Sequence, residues 1–538
     1  MIRKIQKTLK AERVKINHYK QQHPTRPAAY LDPMKERKSI MLFHSLEFLI
    51  FFPVVVFVYF IIPKKLKIFW LLAASYYFYM SWNIRHTGLI AFSTVVTWVS
   101  GLLLGRCKKQ GRKAKWIVIV SIVINLSILL FFKYFDFFLH NINFVLEKAG
   151  TEPVQKPFDF ILPVGISFYT FQALGYTIDV YRNDIKPEKN LFRYALFVSF
   201  FPQLVAGPIE RSKNLLEQIQ GICKMERGKL FDYERIASGL LLMLWGFFQK
   251  LVIADRLCIF VDHVYGEWYF YGTVELIAAT AAFSIQIYCD FASYSTIAMG
   301  AAKVMGFTLL ENFRTPYFSK SIREFWHRWH ISLSAWFKDY LYIPLGGSRC
   351  GAVRRYLNLF VTFLVSGLWH GASWHYVCWG AIHGIYQIVG TMTAEIRHSL
   401  RKKAGINVRA FSFRAGQTAV TYVLTLFALV FFRAESLNSA FGFIKRIFTK
   451  PDLWALTDGT LCELGLADTE IAVLFSALII LLLVSLIREY KNETLDMFLA
   501  RQSTWFRWLV IIILFSFIFL FGMYGPEYNE NQFIYFQF

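Results

Sequence analysis

Charge is what the stretch from Tyr356 to Thr393 lacks. It reads YLNLFVTFLVSGLWHGASWHYVCWGAIHGIYQIVGTMT, without one Asp, Glu, Lys or Arg. A bilayer core about 30 Å thick takes roughly 20 apolar residues of helix, so this stretch is long enough for nearly two crossings. Cysteine is scarce as well: there are seven, none in CxxC spacing, which excludes a disulfide or Cys-based metal framework. No repeat of 20–50 residues, low-complexity tract or linker is present, which excludes a solenoid or a tethered soluble domain. The larger polar intervals (140–160, 207–235, 312–355, 394–415 and 434–468) are each too small for an independent domain.

What the chain has in quantity is apolar surface. Of its 538 residues 56% are hydrophobic and 18% aromatic. About 11–13 hydrophobic segments stand against the roughly 20 apolar residues a span needs: 47–62, 67–81, 88–105, 116–139, 191–206, 236–261, 272–289, 292–308, 356–369, 373–393, 416–433, 469–487 and 504–523. The expected fold is therefore an all-α polytopic integral membrane protein, with the shorter segments re-entrant, tilted or interfacial. Aromatic residues at segment edges, such as Tyr76, Tyr77, Tyr79 and Trp82, suit the headgroup level.

A net charge of +23 raises nucleic-acid binding, but the basic residues sit in short loops, PKKLK (63–67), RCKKQGRKAK (106–115) and RKKAGINVR (401–409). That is the pattern of cytoplasmic loops under the positive-inside rule, and nucleic acid is not expected. Residues 1–40 carry eleven Lys or Arg against three acidic residues and hold no signal-like apolar run. They read as a basic extension, either upstream of a true start at Met41 or lying on anionic lipid, with 41–538 a single membrane domain.

Five of the twelve histidines fall between His327 and His383. Within SIREFWHRWHISLSAWFKDY (321–340), helical spacing puts Arg323, His327, His330 and Ser334 on one face. Trp326, Trp329, Leu333, Trp336 and Tyr340 form another. The expectation is one interfacial helix, capped by Ser319 or Ser321 and ended by Pro344 with Gly346–Gly347. Its histidines either decorate the wet face or take part in a site. In SGLWHGASWH (366–375), Gly367, Gly371 and Ala372 leave the backbone around His370 uncrowded. A neutral imidazole there is suited to take a proton from a hydroxyl; the alternative is a core histidine bonded to a neighbouring helix. No carboxylate or cysteine stands at ligand spacing beside these histidines apart from Glu324 and Asp339, so no metal is expected.

The two elements, REFWHRWHISLS-x-WF-x-DYLYIPLGG and GLWHGA, together resemble the signature of the membrane-bound O-acyltransferase family, in particular its bacterial polysaccharide-acetylating branch. LPVGISFYTFQALGYTIDVYR (162–182), FFPQLVAGPIER (200–211), QIYCDFASYSTIAMGAAKVMGF (286–307) and the closing FIYFQF (533–538) add to the resemblance, which covers about 41–538. The resemblance implies acyl transfer from a cytoplasmic thioester, acetyl-CoA or an acyl carrier, through a transmembrane tunnel to a hydroxyl. It implies His370 as general base and His330 as the residue that orients substrate or polarises the thioester carbonyl. It also implies an extracytoplasmic partner of the SGNH hydrolase type, an exported or cell-wall polysaccharide acceptor, no bound cofactor, and a multi-pass location in the bacterial plasma membrane. D-alanyl transfer to teichoic acid is the neighbouring reading, and a proton-coupled transporter the reading from another class. Candidate substrate contacts are Arg323, His327, Ser334 and Trp369. Asp290 either holds an imidazole tautomer or bonds a neighbouring helix, and Gln203, with Glu210 and Arg211, is a candidate for the cytoplasmic mouth.

Overall fold

The computed structural model describes residues 41–111, 114–157, 162–205, 207–222 and 231–524. Residues 1–40 and the FIYFQF ending lie outside the described residues. Within them the chain is helical, with no strand. The first part runs α1 (Leu46–Ile61), α2 (Lys67–Met80), α3 (Thr87–Lys109) and α4 (Lys115–Leu129). A π turn, Leu130–Tyr134, carries α4 into α5 (Phe135–Lys148). Then come α6 (Ile166–Arg182), α7 (Leu191–Ser199), the short α8 (Phe201–Leu204), α9 (Glu217–Ile222) and α10 (Tyr233–Phe247). A further π segment, Phe248–Ala254, leads into α11 (Asp255–Gly266). Next follow α12 (Thr273–Val304), α13 (Ile322–Arg328), α14 (Ile331–Phe337), α15 (Ala352–His370) and α16 (Trp374–Met392). The chain closes with α17 (Ala394–Lys403), α18 (Phe411–Arg433), α19 (Leu437–Thr449), α20 (Asp468–Lys491), α21 (Leu495–Ala500) and α22 (Thr504–Phe521).

Local chemistry sets several of these starts. Ser45, Asn190, Asp232 and Ser321 each accept a hydrogen bond from a backbone N–H of the first turn that follows. Seven helical stretches among the described residues are long and apolar enough to cross a bilayer: Ile84–Lys109, Lys115–Lys148, Tyr233–Gly266, Thr273–Val304, Phe411–Arg433, Asp468–Lys491 and Thr504–Phe521. The remaining hydrophobic segments also form helices, shorter or less apolar, in agreement with an all-α membrane protein. Where the apolar pattern separates 272–289 from 292–308, the structure has one helix of 32 residues, α12. The separation falls at Asp290, whose charge is met by Lys250 Nζ at 2.7 Å.

Helix α12 is the hub. It packs against α10, α11, α18 and α19 and is largely enclosed. By contrast α20 and α22 leave Phe475, Leu482, Leu483, Phe515 and Phe519 exposed. Apolar surface of that extent belongs against lipid. Antiparallel α15 and α16 lie in contact, and His370 is the last residue of α15.

Candidate active site

The 321–340 segment is not one helix. It folds as α13, a break at Trp329–His330, α14, and a π turn at Lys338–Tyr342. The break has a tertiary cause. The extended segment before it binds across the gap: Arg314 N–H donates to Arg328 O at 2.9 Å, and Ile331 N–H donates to Asn312 O at 3.0 Å. Asn312 Oδ1 accepts from both the N–H and the Oγ of Ser332, at 3.2 and 2.6 Å. Ser332 Oγ in turn accepts from Ile209 N–H at 3.0 Å, and Glu210 accepts from Leu310 N–H at 2.5 Å and Asn214 Nδ2 at 2.7 Å. His330 is left in the left-handed region, at φ 43°.

The consequence is a corrected face. Arg323 and His327 are exposed on α13, with His327 Nδ1 near Arg323 O at 2.8 Å. Ser334 is half-buried and donates weakly to Trp329 O at 3.5 Å. His330 is turned inward instead, with no exposed surface. The capping expectation holds for Ser321, which accepts from Glu324 N–H at 3.2 Å.

The inward turn brings His330 to His370, with ring centroids 6.5 Å apart. Around His330 stand Phe291 (4.7 Å, edge-on), Trp369 (6.1 Å), Phe313 and Phe168. Around His370 stand Trp379 (5.0 Å), Trp369 (5.2 Å) and Phe432 (5.5 Å). Beyond Trp379 lies a third imidazole, His383, whose Nδ1 accepts from Trp326 Nε1 at 3.3 Å. A narrow cavity of about 20 Å³ joins His370 and His383 between Ile287, Phe291, Phe325, Trp379 and Phe432. That is about the space of one water, so any reacting group here is well shielded from solvent.

Both ring nitrogens of His330 are buried without a hydrogen-bond partner among the described residues. An unsatisfied buried polar group costs about 1–3 kcal/mol, and a non-glycine residue at positive φ adds strain. Both costs fall on one residue. His375, in contrast, is satisfied by Phe431 O at 3.0 Å and reads as structural. Among the described residues no group of three or more His, Cys, Asp or Glu side chains is arranged to hold a metal ion.

The other candidates have partners within the fold. Asp290 pairs with Lys250 at 2.7 Å, and Lys250 also meets Asp255 at 2.8 Å. Gln203 and Gln172 both donate to Phe197 O, at 2.9 and 2.6 Å. Arg211 pairs with Asp339 at 2.7 Å, and Tyr340 donates to Asp179 at 2.6 Å. The residues around the pair that the sequence did not single out are Asn312, Phe291 and Phe432. Only the positive φ at His330, invisible in sequence, marks why Asn312 matters.

Two facing imidazoles in an aromatic, water-poor enclosure, one held at the end of a helix and one before the start of another, suit proton transfer at a bound hydroxyl beside a polarised carbonyl. The sequence matches the membrane-bound O-acyltransferase family over residues 188–413, a range that contains His330, His370 and His383. A probable alginate O-acetylase of Pseudomonas syringae pv. tomato is 36% identical over 457 residues, covering 85% of this chain and 84% of that protein. The chain belongs to the membrane-bound O-acyltransferase family. It is an acyltransferase and a multi-pass membrane protein. A peptidoglycan O-acetyltransferase of Helicobacter pylori is 31% identical over 93% of this chain and 98% of its own length. Similarity to a teichoic acid D-alanyltransferase of Bacillus subtilis is 28% and covers 44% of this chain.

Proposed function

We propose that this acyltransferase takes an acetyl group from a cytoplasmic thioester and passes it across the bacterial plasma membrane toward hydroxyls of an exported or cell-wall polysaccharide. The observation that carries the reading is the buried pair His330–His370, with both ring nitrogens of His330 lacking a partner among the described residues. In this reading His370 takes the proton from the acceptor hydroxyl as its oxygen attacks the thioester carbonyl. His330 donates to the carbonyl oxygen as negative charge develops there, and the departing thiolate takes up the proton that His370 releases. The thioester supplies its own leaving group, so the residues present suffice without a bound cofactor. Trp369 and Phe291 shape the enclosure, and the exposed Arg323 and His327 are the residues this reading assigns to contact with the donor. Residues 41–538 form the catalytic unit, and an extracytoplasmic SGNH-type partner completes transfer to sugar.

Acetyl is favoured over D-alanyl because the O-acetylating relatives align with most of this chain, whereas two D-alanyl-transferring relatives align with half of it or less. The test is transfer from radiolabelled acetyl-CoA by membranes containing the wild type, His370→Ala or His330→Asn, supplied with a polysaccharide fraction from the native host. The expected result is incorporation by the wild type, none by His370→Ala, and a reduced rate with His330→Asn, which keeps a hydrogen-bonding group. Full activity of His370→Ala refutes the base assignment.

A further inference from the structure

The last turn of α15 presents the carbonyls of Leu368, Trp369 and His370, which have no partner within the helix. Side chains of the π turn Leu130–Tyr134 meet all three. Tyr134 Oη donates to Leu368 O at 2.8 Å. Lys133 Nζ donates to Trp369 O at 2.7 Å and His370 O at 3.1 Å, and lies 5.8 Å from the centre of the Trp369 ring. Lys133 stands inside the apolar stretch Lys115–Lys148, one of the seven long enough to span a bilayer. A cation at that depth is costly, and π turns recur at functional sites. It is seated at the negative end of the α15 dipole, on the carbonyl of the histidine itself.

We propose that Lys133 is a positioning residue for the transfer reaction: by holding the carbonyls of Trp369 and His370 it fixes the terminal turn that aims the His370 ring. This rests on the reading of His370 as the base. After His370 the chain turns extended at Gly371, so no further helical turn holds the ring.

The experiment compares wild type, Lys133→Met, Lys133→Arg, Tyr134→Phe and His370→Ala by transfer from radiolabelled acetyl-CoA, with thermal unfolding in detergent recorded for each. Lys133→Met is expected to lower kcat about 10²-fold with little change in donor KM, since a displaced catalytic group costs about that much. Lys133→Arg keeps donors for both carbonyls and restores most of the rate, and Tyr134→Phe, which loses one neutral bond, falls less. A Lys133→Met variant whose kcat is unchanged, or whose loss is not rescued by a Lys133→Arg variant that unfolds at the wild-type temperature, overturns the proposal. If His370→Ala is active, it is the base assignment that fails; if that variant is dead and Lys133→Met matches wild type, the failure belongs to Lys133 alone.

Discussion

Alanine in place of Gly380 tests whether the site depends on how closely α15 and α16 approach. At the crossing, a Cβ on Gly380 would lie 2.3 Å from Phe363 O, and one on Gly367 would lie 2.3 Å from Tyr376 O. Ordinary contact begins near 3.4 Å, so Gly380→Ala forces the backbones apart by about 1 Å, against a carbonyl that cannot rotate away. His370 lies on α15 one turn beyond Gly367, and its partner His330 belongs to another element, so the separation changes the His370–His330 distance. A misplacement of about 1 Å costs on the order of 10² in rate, while overpacking costs about 1–3 kcal/mol of stability. Two more glycines on α16 calibrate the effect. A Cβ at Gly384 meets the ring edge of Phe360 at 3.0 Å, which a small rotation relieves, and one at Gly390 meets nothing within 4 Å. Acyl transfer by the three purified alanine variants, beside their thermal unfolding, is expected to fall steeply for Gly380, mildly for Gly384 and not at all for Gly390. Equal activity of the Gly380 and Gly390 variants would refute the dependence on close approach.

Lys250→Met leaves Asp255 and Asp290 buried without their shared cation, and about 3–5 kcal/mol of stability is expected to be lost. The triple variant Lys250→Met/Asp255→Asn/Asp290→Asn should regain most of it in detergent unfolding scans; no recovery would show that the charges were not the cause. Asn312→Ala should lower transfer and stability together by releasing Ser332 and the turn at His330, about 1–3 kcal/mol by the bonds it removes; transfer at the wild-type rate would mean that the turn holds itself. Burial pushes the Glu210 carboxyl up to about 7, against the hydrogen bonds it accepts from Leu310 and Asn214. Its folded value is raised, so the stability it contributes is full below the unfolded value near 4.5 and lost as pH rises through about 7, at most about 3 kcal/mol. Melting temperature should therefore fall between pH 5 and 8 in wild type and less so in Glu210→Gln; equal slopes would exclude the carboxyl.

The apolar runs were enough to read an all-α membrane protein, because a bilayer imposes one period and one length on whatever crosses it. The motif around His370 was legible for a similar reason: an ionisable ring in an uncharged stretch is conspicuous against such a background. The break at His330 was not legible. REFWHRWHISLS has no Gly or Pro, and its aromatic stripe keeps helical spacing through the point where the helix stops. What stops it lies outside the segment, in Arg314 N–H and the backbone and side chain of Asn312, and tertiary bonds of that kind override a weak local preference. Asp290 misled in the opposite direction, since a lone carboxylate divides an apolar pattern that Lys250, 40 residues earlier, makes continuous. Both cases share a cause. A polar group in a membrane protein takes its meaning from its partner, and the partner is set by packing rather than spacing. The site follows the same rule: His370 and His330 are 40 residues apart, and their approach depends on Asn312 bending one segment and on Gly367 and Gly380 letting two helices touch.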